Sequence, residues 1–161
     1  MSSHIGAPSN RKNYHQLKSP IHTTPQNFGK DMELLFKTYS ENVVAGIVNE
    51  TRQTANDGMD LLRNVRQPDA SEGGTAHPMK RRQWRRYSSS WYVKEYEGVN
   101  FYKATVHNRK HYRLTHLLEY GHATRNGLRT RAFRHIEPIE IYCEHRMLKN
   151  IPEIIKKGGK K

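Results

Sequence analysis

Residues 80–108 read KRRQWRRYSSSWYVKEYEGVNFYKATVHN, and the later part of that stretch decides the fold class. Trp91 and Val93 alternate with Tyr92 and Lys94, while Phe101, Lys103, Thr105 and His107 alternate with Tyr102, Ala104 and Val106. A period of two in aromatic and β-branched residues is the pattern of half-buried strands. Glu97-Gly98-Val99-Asn100 separates the two runs and supplies the turn of an antiparallel hairpin, placed over residues 84–107. Ser88, Ser89 and Ser90 then fall inside a strand-like run, with no glycine elbow to present a nucleophile.

Upstream of the hairpin the period changes. Leu35, Tyr39, Val43 and Ile47 recur every four residues, with Phe36, Val44 and Val48 beside them. This is the apolar stripe of an amphipathic helix running from Asp31 to about Arg66, with Asp31 and Glu33 suited to its positive N-terminal end. Thr51, Ala55, Met59 and Leu62 continue the stripe more weakly, and Gly58 is a point at which the helix bends or splits. Residues 67–80 read as a loop from their Pro, Gly, Ser and Asp content. Residues 1–30 hold Pro8, Pro20 and Pro25 and four basic residues without an acid, the composition of an arm that does not order by itself.

Downstream, Tyr112 to Pro138 reads YRLTHLLEYGHATRNGLRTRAFRHIEP. Leu114, Leu117 and Leu118 lie at i, i+3 and i+4, one apolar face of a short helix. Gly121 supplies the left-handed backbone that stops it. Arg125, Arg129, Arg131 and Arg134 then crowd one loop with no acidic residue between them. Pro138 suits the first turn of a last helix over 138–150, with Ile139, Tyr142, Cys143 and Met147 as its buried face. Pro152 kinks or ends that helix, and 158–161 form a basic tail. The expected architecture is α+β, with one domain over 31–157.

The chain has 161 residues, 34% of them hydrophobic, so the expected core is modest and uncovered surface favours assembly. Twenty-eight Lys and Arg against fifteen Asp and Glu leave a formal charge of +13, which implies a polyanionic or acidic partner. The single cysteine, Cys143, has no intramolecular partner and reads as a small core residue. No apolar run approaches the ~20 residues that span a bilayer, and residues 1–16 lack the apolar centre of a signal peptide. No membrane association is expected, and the expected site of synthesis and use is the cytoplasm.

Candidate chemistry is sparse. His111, His116, His122 and His135 share one region, but their spacing fits neither H-E-x-x-H nor a zinc finger, so no metal or other cofactor is expected. Glu119 is expected to pair with a loop arginine rather than act as a general base. Gly73-Gly74 lacks the lysine and helix start of a phosphate loop. Nothing assembles an active site. The basic clusters carry more: Lys80, Arg81, Arg82, Arg85 and Arg86 surround Trp84, and from His77 to Arg134 fourteen Lys and Arg face only Glu95, Glu97 and Glu119. Arginine forks suit phosphates and carboxylates alike. Trp91 reads as a packing residue, and Trp84 is compatible with packing or with base stacking.

One pattern carries a family resemblance. Tyr112-x-Leu114-Thr115-His116-Leu117-Leu118-Glu119-x-Gly121-His122-Ala123, then Arg125-Asn126-Gly127 and His135-Ile136-x-Pro138, resembles a family of tailed-bacteriophage proteins. These are the small minor tail components of the head–tail joining region (neck or tail-completion proteins) of lambdoid siphophages and related prophages. Tyr87-x-x-x-Trp91-x-Val93 and the N-terminal helix occupy the positions expected for that family. The resemblance covers residues 31–157 and is specific over 112–138. Leu128 departs from a glycine and Arg134 from a proline, both in the loop.

The resemblance implies an α+β ring protein in the virion, hexameric or dodecameric, without a catalytic role and assembled in the host cytoplasm. Its implied neighbours are copies of itself, the portal or head-completion connector proteins, and the tail terminator or tail tube protein. Genomic DNA transits the ring. Arg125, Arg129, Arg131, Arg134, Arg81, Arg82, Arg85 and Arg86 would contact that DNA or the neighbouring rings. The alternatives are a tail terminator capping the tail tube, a general basic nucleic-acid-binding protein, and a zinc-assisted nuclease.

Overall fold

The computed structural model describes residues 24–67, 79–99 and 101–158. Most of the expected arm, most of the 67–80 loop and the last three residues of the basic tail lie outside the described residues. The element order is α1 (Phe28–Asn64), α2 (Arg81–Ser88), β1 (Trp91–Glu97), β2 (Tyr102–Asn108), α3 (Tyr112–Tyr120) and α4 (Glu137–Lys156). The chain is α+β, as the alternation of helical and strand periods implies. It divides into two compact units, residues 1–36 and 37–161. In the first, the amides of Asn27 and Phe28 donate to Thr24 O in a turn that leads into α1. All that follows concerns the second. No helix among the described residues is long and apolar enough to cross a membrane.

β1 and β2 pair antiparallel, from Trp91 opposite Asn108 to Glu97 opposite Tyr102. Gly98 N donates to Phe101 O at 2.9 Å to close the turn. The hairpin therefore starts at Trp91 and not at Trp84. Residues 81–88 form α2, because RRQWRRYS places its only aromatic residues, Trp84 and Tyr87, three apart, and both are buried on one helical face. Ser88 ends that helix and Ser90 sits buried in the turn after it, so neither serine belongs to a strand.

The core cluster is Leu62, Trp84, Tyr87 and Trp91, with Met59, Val106, Leu114, Phe133, Ile136 and Ile139 packed against it. Both tryptophans are thus packing residues. Full burial in α1 falls on the weaker part of its stripe: Glu50, Thr54, Ala55, Gly58 and Leu62 are buried, while Leu35, Val43 and Ile47 are half-buried and Tyr39 and Val44 exposed. Gly58 does not split the helix, which runs unbroken from Phe28 to Asn64. A Cβ there would stand 2.9 Å from Cys143 Sγ, so the glycine lets α4 approach closely. Arg146 Nε and Asn150 Nδ2 of α4 both donate to the buried Glu50 Oε1 of α1, at 2.8 and 2.6 Å.

α4 runs through Pro152 to Lys156, beyond the expected end at 150. Pro152 is exposed and leaves the Leu148 carbonyl without its i+4 amide donor. Tyr142 is exposed, and the buried stripe instead continues through Cys143, Met147, Asn150 and Ile154. On α3 the buried positions are Thr115 and Glu119, with Leu114 and Leu118 half-buried and Leu117 exposed. The apolar triplet is therefore split, two leucines inward and one outward.

Candidate functional site

Two of the motif residues, Glu119 and His135, meet where α3 approaches the start of α4. Glu119 is nearly fully buried and reaches the amides at the entry to α4: Oε2 accepts from His135 N and Ile136 N, just before the helix, at 3.0 and 2.9 Å, and Oε1 from Glu137 N, its first residue, at 3.0 Å. These are the donors that a helix N-terminus leaves unsatisfied. Glu119 thus caps α4 from a neighbouring helix and does not pair with a loop arginine. Capping from another element replaces the local side-chain cap, which α4 lacks.

His135 completes the arrangement. Its Nδ1 lies 2.8 Å from Phe133 O and 3.0 Å from Glu119 Oε2, both acceptors, so Nδ1 carries the proton. Nε2 then accepts from Tyr87 Oη at 2.6 Å. Burial pulls the His135 imidazole below its usual range, against the opposing pull of Phe133 O and Glu119. For Glu119, burial pushes upward, but the backbone donors of Glu137, Ile136 and His135 leave the carboxyl net below its usual range. Tyr87 is raised, first by burial and then by the Glu119 charge. A Tyr–His–Glu chain has the composition of a proton relay. Here its outer end is sealed: Tyr87 is 1% exposed and ringed by Trp84, Trp91 and His135. Its role is to hold α2, α3 and α4 together.

The arginine loop is more ordered than its composition suggests. Gly121 has φ +67°, and a Cβ there would lie 2.4 Å from Thr130 O, so only glycine fits where the strands of the loop cross. Thr130 N donates to His122 O at 2.8 Å, and Ala123 bridges Arg129. Thr124 N donates to Leu128 O at 2.7 Å and Gly127 N to Thr124 O at 3.1 Å. Gly127 takes φ +76°, and among the described residues no non-glycine residue has positive φ, so Leu128 needs no second glycine. The result is a miniature hairpin. Arg125, Asn126 and Gly127 are exposed at its tip, and Arg129 and Arg131 are exposed on its returning limb.

Arg125, Arg129 and Arg131 have no carboxylate partner among the described residues, whereas Arg134 pairs with Glu137 at 2.9 Å and is not free. The other motif positions divide plainly. Leu114 supports the core, Pro138 sits in the first turn of α4, and Tyr112, His116, Leu117 and His122 face solvent. His122 Nδ1 contacts Thr130 Oγ1 at 3.1 Å. No group of three His, Cys, Asp or Glu fit to hold a metal occurs among the described residues. Burial raises the Cys143 thiol, which removes thiolate character at neutral pH.

The second cationic group is α2. With Trp84 and Tyr87 turned inward, Arg81, Arg82, Arg85 and Arg86 all project outward and, with Ser89, border an open depression of about 740 Å³. None has a carboxylate partner among the described residues. At 1.5 Å rise per residue, the i,i+4 pairs Arg81/Arg85 and Arg82/Arg86 are spaced about 6 Å along the axis. That array suits successive phosphates or carboxylates.

A third surface was not singled out by sequence reasoning. The outer face of the hairpin forms a depression of about 520 Å³ lined by Lys94, Tyr96, Phe101, Lys103, Thr105 and His107. The alternation of Lys94 and Tyr96 with Glu95 and Glu97 was the available signal. It sorts the cations and aromatics to one face and the carboxylates to the other. No protein-family model, no curated protein and no solved structure matches this chain.

Proposed function

We propose that this chain is a structural virion protein of a tailed phage, a neck or tail-completion component that forms a homo-oligomeric ring. The ring would link the portal or head-completion complex to the tail tube, without a catalytic role. The observation that carries this reading is the Arg125–Arg131 projection. Arg125 at the tip and Arg129 and Arg131 on the returning limb have no carboxylate partner among the described residues, and Glu119, Gly121 and His135 of the resembling motif hold the base of that projection. A rigid cationic tip suits docking onto acidic faces of adjacent rings, or phosphates of DNA passing through. The tail terminator remains the near alternative, since it calls for the same surfaces.

The test is localisation. Particles carrying an epitope on this chain should show label at the head–tail junction, and replacing Arg125, Arg129 and Arg131 by Ala should yield separate filled heads and tails. Purified particles devoid of the chain would refute the reading. The α2 array favours a second reading, a basic protein that binds nucleic acid without assembling. A stable monomer that binds duplex DNA with steep salt dependence supports that instead.

A further inference from the structure

The two faces of the hairpin differ in character. Val93 and Glu95 lie on the side where Arg52 of α1 pairs with Glu95 at 3.0 Å. Lys94, Tyr96, Lys103, Thr105 and His107 lie on the other, and no carboxylate lines the depression there. Lys94 Nζ stands 4.6 Å from the centre of the Tyr96 ring. Tyr96 and Phe101 are 43% and 62% exposed. A two-stranded ribbon is marginal on its own, and sheets gain stability when a helix covers a face. At the turn end of this face Lys94, Tyr96, Phe101 and Lys103 are exposed, while Tyr92 and His107 at the other end are half-buried.

α4 has the complementary problem. Away from its buried stripe, Glu137, Ile141, Glu144, Leu148 and Ile155 recur at i, i+4, i+7, i+11 and i+18, and all are exposed. Leu148 is 66% exposed and Ile141 46%. Glu140 lies beside this stripe, and neither it nor Glu144 has a cationic partner among the described residues. The helix is therefore apolar on two sides, with carboxylates on the outer one.

We propose that the outer stripe of α4 docks on the outer face of the β1–β2 hairpin of a second copy of this chain. Ile141 and Leu148 lie against Tyr96 and Phe101, and Glu140 and Glu144 meet Lys94 and Lys103. This contact rests on the ring reading above. The lengths agree: Glu137 to Leu148 spans about 17 Å of helix, and a seven-residue strand about 23 Å. The donating and receiving surfaces are different parts of one chain, so the contact is heterologous, the kind that builds a ring where its rotation closes and a filament where it does not. A polynucleotide on the hairpin would use its lysines and aromatics but leave the apolar stripe of α4 bare. A second copy covers both.

Sedimentation velocity on the full chain, over a concentration series reaching the millimolar range, tests the contact. The wild type should assemble. Lys94→Glu with Lys103→Glu should weaken assembly about 100-fold, and so should Glu140→Lys with Glu144→Lys. All four together should restore it to within about 10-fold of wild type, with unaltered melting temperatures excluding misfolding. Assembly indifferent to each reversal, no rescue, or a monomer throughout overturns the proposal. So does loss of oligonucleotide binding by the lysine variant with its sedimentation unchanged, which makes the face a polynucleotide site. Label at the head–tail junction, together with assembly indifferent to the reversals, sinks this contact alone. Swap and rescue in a chain absent from particles sinks the neck reading and leaves the contact standing.

Discussion

Glu119 is the residue on which most of the motif turns. Replacing it with Ala removes an acceptor from three amides, two of them at or beside the buried His135. Stranding such donors should cost about 2–4 kcal/mol, read from urea unfolding. The same carboxylate and His135 set the acid limit of the fold. Glu119 is depressed in the fold, so its contribution is present above the ordinary carboxylate range and lost as pH falls through its folded value. His135 is held neutral, so below about pH 6.5 the unfolded chain gains a proton that the fold resists. Both effects have the same sign. The melting temperature should be level from pH 7 to 8, decline below about 6.5 and decline again in the carboxylate range, and Glu119→Gln should shrink the second decline, which the lowered Glu95 carboxyl shares. Gly121→Ala should cost at least about 2 kcal/mol, because it combines a positive φ with a Cβ against a carbonyl.

At the scale of elements, helical and strand periods compete in aromatic segments. Trp84 and Tyr87 have high strand propensity, yet their spacing of three places both inward only in a helix, and burial of two large rings outweighs propensity. α1 teaches a related lesson. Its strong stripe is only partly covered, with Leu35, Val43 and Ile47 half-buried and Tyr39 exposed, while the weaker stretch of Thr54, Ala55 and Gly58 is buried, because small residues permit the close approach of α4. α4 in turn tolerates Pro152 on an exposed side. Pro152→Ala restores the missing amide and should stabilise the chain by about 1–2 kcal/mol in thermal or urea unfolding. A decrease in stability would show that the ring of Pro152 makes a packing contact of its own.

At the scale of the whole molecule, charge and uncovered apolar surface point in the same direction. A charge of +13 sits on a chain whose described arginines on α2 and on the loop tip largely lack carboxylate partners. Phe101, Leu117, Tyr120, Ile141 and Leu148 are exposed as well. Replacing Arg81, Arg82, Arg85 and Arg86 with Ala should reduce the slope of log affinity for duplex DNA against log salt by about 3–4 if each neutralises one phosphate. An unchanged slope would exclude α2 as a phosphate contact and leave its arginines to carboxylates of protein neighbours.

The residues alone established the α+β class, the long helix, the hairpin turn, the glycine stop at 121 and the clustering of cations, because each rests on local period, local backbone freedom or composition. Only the tertiary structure decided that residues 81–88 are helix, that Glu119 serves the amides of α4, that Arg134 is paired, and which leucine of α3 faces water. Those outcomes depend on contacts between segments distant in the chain. A carboxylate is matched with whatever donors the fold brings within 3 Å, and no spacing along the sequence records that distance.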